Sequence, residues 1–346
     1  MKKIEWSVIK AFDPAMWVII IYLFLFFLFF KAAPAIMGAI LFGWYLSMII
    51  GVPTHFLSRF IKYKLALLIS SIGMFVLLAF AVYSIFPVLI EEGKKFFPVV
   101  GTTARDINVE TFFNGENIDP NLIEWLNTLI GDIGRNISEF GATILNTVIQ
   151  NIPAVSTATI LFVITASYFA TIMPILNKNL WRFFPKSTRK RSISFVRESY
   201  KDIEHYIRGQ VILALIVGVM VGVGTTLSGV PYALFLGFLS GIFDFIPFLG
   251  PILVSIPGML LGFLYGGVPG LIKMLIVFLF ANQFESWVLQ PRIQGTRMKL
   301  NWFAIVLAIL LAGSIFGLPG VLIGIPFLAF FRRFWVEYVQ EGLRKM

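Results

Sequence analysis

Residues 231–267 read PYALFLGFLSGIFDFIPFLGPILVSIPGMLLGFLYGG, an apolar run whose one charged residue is Asp244. As one uninterrupted helix it would far exceed the ~30 Å hydrocarbon core of a bilayer. Pro247-Phe248-Leu249-Gly250-Pro251 interrupts it. Each half then holds roughly 13–17 residues, about 20–25 Å as helix, short of a full crossing. A second stretch, 302–331, is broken in the same manner at Gly317-Leu318-Pro319-Gly320. Two short helices around a Pro/Gly tip predict a re-entrant hairpin. The tips would be Pro247, Gly250 and Pro251 in the first, and Gly317, Pro319 and Gly320 in the second. Two pairs of complete spans are the other arrangement, and the sequence leaves both open.

Six further apolar segments surround these two, at 15–30, 35–52, 65–90, 153–175, 211–228 and 270–290. Of the 346 residues 58% are hydrophobic, 13% are charged and 37 are Phe, more apolar surface than a soluble core of this length can hide. The fold class is therefore an all-α polytopic membrane protein with about eight hydrophobic segments. The basic start and Ala33-Pro34-Ala35 could suggest a cleaved signal, but a second apolar run follows at once, so the first is read as a retained span.

The polar intervals set the domain plan. Residues 1–90 carry the first three transmembrane helices. Residues 91–150 hold nine acids and four bases. There Asp119-Pro120 reads as an N-cap followed by the first helical position, opening an amphipathic helix in an extracytoplasmic segment. Residues 151–176 are the fourth helix. Residues 177–209, with Lys186-Ser187-Thr188-Arg189-Lys190-Arg191 at their centre, are a basic cytoplasmic linker lying against lipid headgroups. Residues 210–331 form a transport core with broken helices, and 332–346 a cytoplasmic tail. With the N-terminus in the cytoplasm, 22 of the 28 Lys and Arg fall on inside segments, as the positive-inside rule requires. Both termini are then cytoplasmic, and the net charge of +10 reflects orientation, not nucleic-acid binding.

Candidate chemistry is sparse. The chain has no Cys and two His, which leaves neither a thiolate site nor a His-rich metal centre, and no nucleophile–base pair is visible. An enzyme is not expected, and no cofactor is implied. Gly218-x-x-x-Gly222, Gly237-x-x-x-Gly241 and Gly320-x-x-x-Gly324 read as helix-packing faces. Two acids sit inside apolar segments, Asp244 and Glu285. A charge there costs at least ~2.5–3.5 kcal/mol on insertion scales. Asp244 lies near the end of a half-helix, where free carbonyls and a carboxylate attract cations or protons. Asn282, Gln283, Glu285, Ser286 and Gln290 fall within an arc of roughly 160° of one helix, a polar face that would line a path.

Asp244-Phe245-Ile246-Pro247-Phe248-Leu249-Gly250-Pro251, Gln283-x-Glu285 with Pro291-Arg292 and Gly295, Gly317-Leu318-Pro319-Gly320 with Pro326, and Tyr206-Ile207-Arg208-Gly209-Gln210 together resemble the autoinducer-2 exporter family of permeases. The resemblance implies inner-membrane location, homo-oligomeric assembly with a pentamer as one form, and secondary transport of a small-molecule or cation substrate. Members are assigned to autoinducer-2 export or resemble sodium- or lithium-proton antiporters. The expectation is an exporter coupled to protons or Na+ through Asp244 and Glu285. The alternatives are a cation–proton antiporter and a non-transporting membrane scaffold or regulator.

Overall fold

The computed structural model describes residues 13–107, 110, 119–150, 152–245, 249–294 and 301–344. Among the described residues the regular structure is helical throughout: α1 (Pro14–Ala32), α2 (Pro34–Leu57), α3 (Tyr63–Phe80), α4 (Phe86–Asp106), α5 (Pro120–Gln150), α6 (Ile152–Asn179), α7 (Arg189–Leu227), α8 (Ala233–Phe243), α9 (Leu249–Phe284), α10 (Gln290–Ile293), α11 (Trp302–Phe316), α12 (Leu318–Phe334) and α13 (Gln340–Arg344). Widened π turns at Ala81–Ile85, Glu285–Leu289 and Trp335–Val339 join α3 to α4, α9 to α10 and α12 to α13. Among the described residues six helices are long and apolar enough to cross a membrane, and two shorter apolar ones accompany them. The chain is an all-α polytopic membrane protein.

Local chemistry sets several helix starts. Asp13 caps α1, its Oδ1 accepting from Ala15 N at 2.8 Å, with Pro14 at the first helical position. Asp119 caps α5 as its sequence context suggests, accepting from Asn121 N at 2.9 Å. Asn301 caps α11, accepting from Phe303 N at 3.0 Å. Each side chain satisfies a backbone donor that the first turn cannot.

The chain divides into two compact units. One comprises residues 77–159 and 211–293. In it α4 and α5 pair along small residues, with Gly101 against Ser138 and Gly134 against Ala104. The core gathers Phe96, Val100, Phe235, Leu236, Leu261 and Met274. Helix α8 lies on α7 through the small residues singled out above. A Cβ at Gly237 would sit 2.6 Å from the Gly218 carbonyl oxygen. Helix α9 reverses at Gly267, whose φ of 58° and ψ of −149° suit glycine alone. Its two arms pack closely, Gly262 against Gly270.

The first interrupted stretch thus has unequal arms. Helix α8 has 11 residues, ~16 Å, and cannot cross a bilayer alone. The arm 249–266 is longer than the halves expected from sequence, because the helix runs on through Pro257. Of the expected tip residues, Pro247 lies outside the described residues. Gly250 packs its backbone against Phe243, and Pro251 sits in the first turn of α9.

The other unit comprises residues 1–76, 160–210 and 294–346. Helices α11 and α12 reverse at Gly317 (φ 64°, ψ −148°), nearly the conformation of Gly267. Both tips read Gly-x-Pro-Gly, Gly267-Val268-Pro269-Gly270 and Gly317-Leu318-Pro319-Gly320. The Pro then stands near the start of the outgoing helix, where its missing N–H costs nothing. Phe316 meets Phe30 edge to face, with ring centroids 4.2 Å apart. At the far end Arg191 joins Asp13 (2.8 Å) to Glu341, and Arg333 joins Asp202 (2.6 Å) to Glu198 and Glu337. Phe195, Phe334 and Tyr338 are buried beside them.

Candidate functional site

Asp244 is the residue that ends α8, with helical backbone angles (φ −58°, ψ −24°) and its N–H given to carbonyls of the last turn. Its carboxyl group thus sits at the negative end of a helix. Glu285 opens the π turn that follows α9. Both acids are buried, at 6% and 7% exposed. The two carboxyl groups border the same cavity and lie close enough to interact electrostatically. Two bare carboxylates close together repel and offer each other no donor, so a close pair of buried acids favours sharing one proton.

The π turn at Glu285–Leu289 shapes this site. Widened turns of this kind concentrate at functional positions. Here the extra residue carries Gln290 back over Glu285, and Gln290 Nε2 donates to Glu285 Oε1 at 2.8 Å. A regular helix would put residues five apart on different faces, so this contact is a product of the distortion.

The two acids border a small cavity with Ser240, Asn282, Pro251, Val217, Val221, Phe278 and Ala281. Its volume is about 20 Å³, room for one water. Phe278, Ala281, Asn282 and Glu285 recur at spacings of three and four, one stripe of the helix facing inward. Among the described residues no cluster of three or more His, Asp or Glu is arranged as a metal site.

The structure thus brings together Asp244, Glu285, Gln290 and Asn282. Gln283 and Ser286 lie exposed on the same helix and do not border the cavity. Sequence reading missed Ser240, a lone Ser in an apolar helix. Its spacing of four from Asp244 is the signal that could have found it, because residues four apart share a helix face.

Residues 16–340 match the family described as AI-2E family transporter. A protein of Thermotoga maritima named for transport is 35% identical over 325 residues, covering 93% of this chain and 97% of its own. The Bacillus subtilis transport protein YrrI is 32% identical over 50% of this chain and 49% of its own. Its Bacillus subtilis counterpart YueF is 28% identical over 46% and 43%.

Proposed function

The chain belongs to the AI-2E family of membrane transporters, and from that premise we propose secondary transport driven by a proton or cation gradient, with Asp244 and Glu285 as the coupling pair. One observation carries this reading: two buried carboxyl groups from separate stretches of the chain border one cavity of about 20 Å³. A site of that size takes a proton carrier or a bare ion. An organic solute such as an autoinducer needs several hundred Å³ and must pass elsewhere. Proton and cation compete for the same oxygens, and that competition is the minimum requirement for exchange. Export is the direction we adopt from the family. Cation–proton antiport is the second reading, and the size of the cavity favours it.

Reconstituted proteoliposomes test the proposal. With an imposed pH gradient, Li+, Na+, K+ and autoinducer-2 are supplied in turn and solute movement is followed. We expect at least one solute to move only while the gradient persists, with a matching movement of protons or cations. Solute flux unchanged after both gradients are collapsed would mean a passive pathway. No flux of any solute would favour a scaffold.

We also propose an inner-membrane orientation with both termini cytoplasmic. The charge asymmetry supports it, and so does Arg191, which bonds Asp13 near one end of the chain and Glu341 near the other, so both ends lie on one side. A chain without Cys gives clean single-cysteine labelling. Ser138 packs against Gly101, so its exposed neighbour Asn136 is the better external probe. We expect Asn136→Cys to react with an impermeant thiol reagent in intact cells and Ser187→Cys only after permeabilisation. The reverse pattern would overturn the orientation. Homo-oligomeric assembly, which the family suggests, would give the exposed Gln283 and Ser286 a neighbour.

A further inference from the structure

A hydroxyl in an apolar helix ordinarily donates to the carbonyl three or four residues back. This chain follows that habit repeatedly: Thr54 to Ile50, Ser167 to Val163, Thr225 to Val221 and Ser228 to Gly224, all at 2.7–2.8 Å. Ser240 departs from it, as do the buried Ser70, Ser71, Ser192 and Ser199, but of these Ser240 alone borders the cavity of the two acids. It is 7% exposed, and its Oγ has no hydrogen-bond partner. It borders the cavity of Asp244 and Glu285, one helical turn before Asp244. A buried polar group left unpaired by the protein is costly, and a water or an ion is one partner that relieves the cost.

We propose that Ser240 Oγ is a ligand of the coupling site and sets its preference between a cation and a proton. The proposal rests on the reading of Asp244 and Glu285 as the coupling pair. A hydroxyl oxygen contributes lone pairs to a cation without adding charge. It does not itself take up a proton in the physiological range, so it strengthens cation binding and leaves proton binding to the carboxyl groups. The charges balance in a simple exchange. The pair with one proton carries one negative charge. A monovalent cation enters as that proton leaves to water, and the site again carries one negative charge. The side chains bordering the cavity that carry oxygen are those of Ser240, Asp244, Glu285 and Asn282.

The test is a titration of transport in proteoliposomes with LiCl, NaCl and KCl at several pH values. For the preferred cation, Ser240→Ala is expected to raise the apparent KM at least about tenfold with the maximal rate kept within about twofold. Because proton and cation compete, a tenfold weaker cation needs a tenfold lower proton concentration to displace the proton. The pH profile then moves up by about one unit. A merely structural role for Ser240 would lower yield or maximal rate and leave the pH profile in place. Ser240→Thr and Ser240→Val give a second comparison, since they match in shape and differ in the oxygen. Thr is expected to keep the wild-type KM and pH profile, and Val to behave as Ala. Equal behaviour of Thr and Val would overturn the proposal, as would a Ser240→Ala protein with unchanged KM and pH profile while removal of the acids abolishes flux. Proton-driven flux that no cation alters would also overturn it while leaving the acids in their role. Full flux without the acids would instead remove the reading on which it rests.

Discussion

The Asp244→Asn, Glu285→Gln double variant is expected to insert and assemble normally and to lose gradient-driven flux by at least about tenfold. Insertion should not suffer, because the change removes charge from apolar segments where charge is costly. Packing should survive, because each amide matches the acid in size. The amide that replaces the Glu285 carboxyl group can still meet Gln290, and an Asn–Gln pair can hydrogen-bond across the same cavity. What disappears is the exchangeable proton and the negative charge that binds a cation in its place. A tenfold loss takes only ~1.4 kcal/mol of binding or barrier stabilisation, little for a site stripped of both its acids. Each single variant should be impaired as well, since one carboxyl group facing an amide no longer shares a proton with its partner. Glu139→Gln is the control, because Glu139 is exposed on α5. Glu341 is a poor control because it is held by Arg191. Wild-type gradient-driven flux in the double variant would make both acids structural.

The fold was legible where hydrophobicity and helix-breaking residues act alone. Long apolar runs have no alternative to helix in lipid, because only internal hydrogen bonds can satisfy their backbone. Asp119-Pro120 and Gly317-Leu318-Pro319-Gly320 acted where their local chemistry placed them. The glycine pairs on α7 and α8 are packing faces, as their spacing suggests. The tight reversal at Gly267 was less visible. Its Gly-x-Pro-Gly string is the same as at Gly317, but it falls between two apolar segments where an ordinary loop would also fit.

The site was legible in its acids and not in its geometry. An isolated charge in an apolar segment is conspicuous because its cost is high, which singled out Asp244 and Glu285. Their meeting is a tertiary fact, since the two residues lie on different helices 41 positions apart. The polar arc around Glu285 was drawn on a regular helix, and the π turn beginning at that residue alters the register beyond it. Gln290 therefore reaches Glu285, whereas Gln283 and Ser286, both expected on the path, stand outside the cavity. A π turn leaves no mark in hydrophobic spacing. A single Ser in an apolar helix usually bonds its own backbone, and only the three-dimensional structure shows that Ser240 does not.

Replacing one hydrogen by a methyl group should have opposite effects at two helical glycines. Gly73 lies exposed in α3, and a Cβ there meets nothing within 4 Å. Gly73→Ala removes backbone freedom from the unfolded chain and should stabilise the protein by up to ~1 kcal/mol. Gly320 lies in the first turn of α12, where a Cβ would sit 1.9 Å from the Ala312 carbonyl oxygen of α11. That neighbour is backbone and cannot rotate aside, so α11 and α12 must separate for the methyl group to fit. Separation forfeits the close contact of both helices at the tip, where Gly324 also lies against Ile309. Overpacking of this kind costs about 1–3 kcal/mol, and backbone against backbone belongs at the upper end. Gly317→Ala should cost a comparable amount for a different reason: φ 64° with ψ −148° is a region that residues bearing a Cβ scarcely enter. Thermal unfolding in detergent, followed by circular dichroism, should therefore rank Gly73→Ala at or above wild type, with Gly317→Ala and Gly320→Ala well below. Gly320→Leu should leave little folded protein in the membrane fraction. A Gly320→Ala protein as stable as Gly73→Ala would mean that α11 and α12 do not meet at this tip.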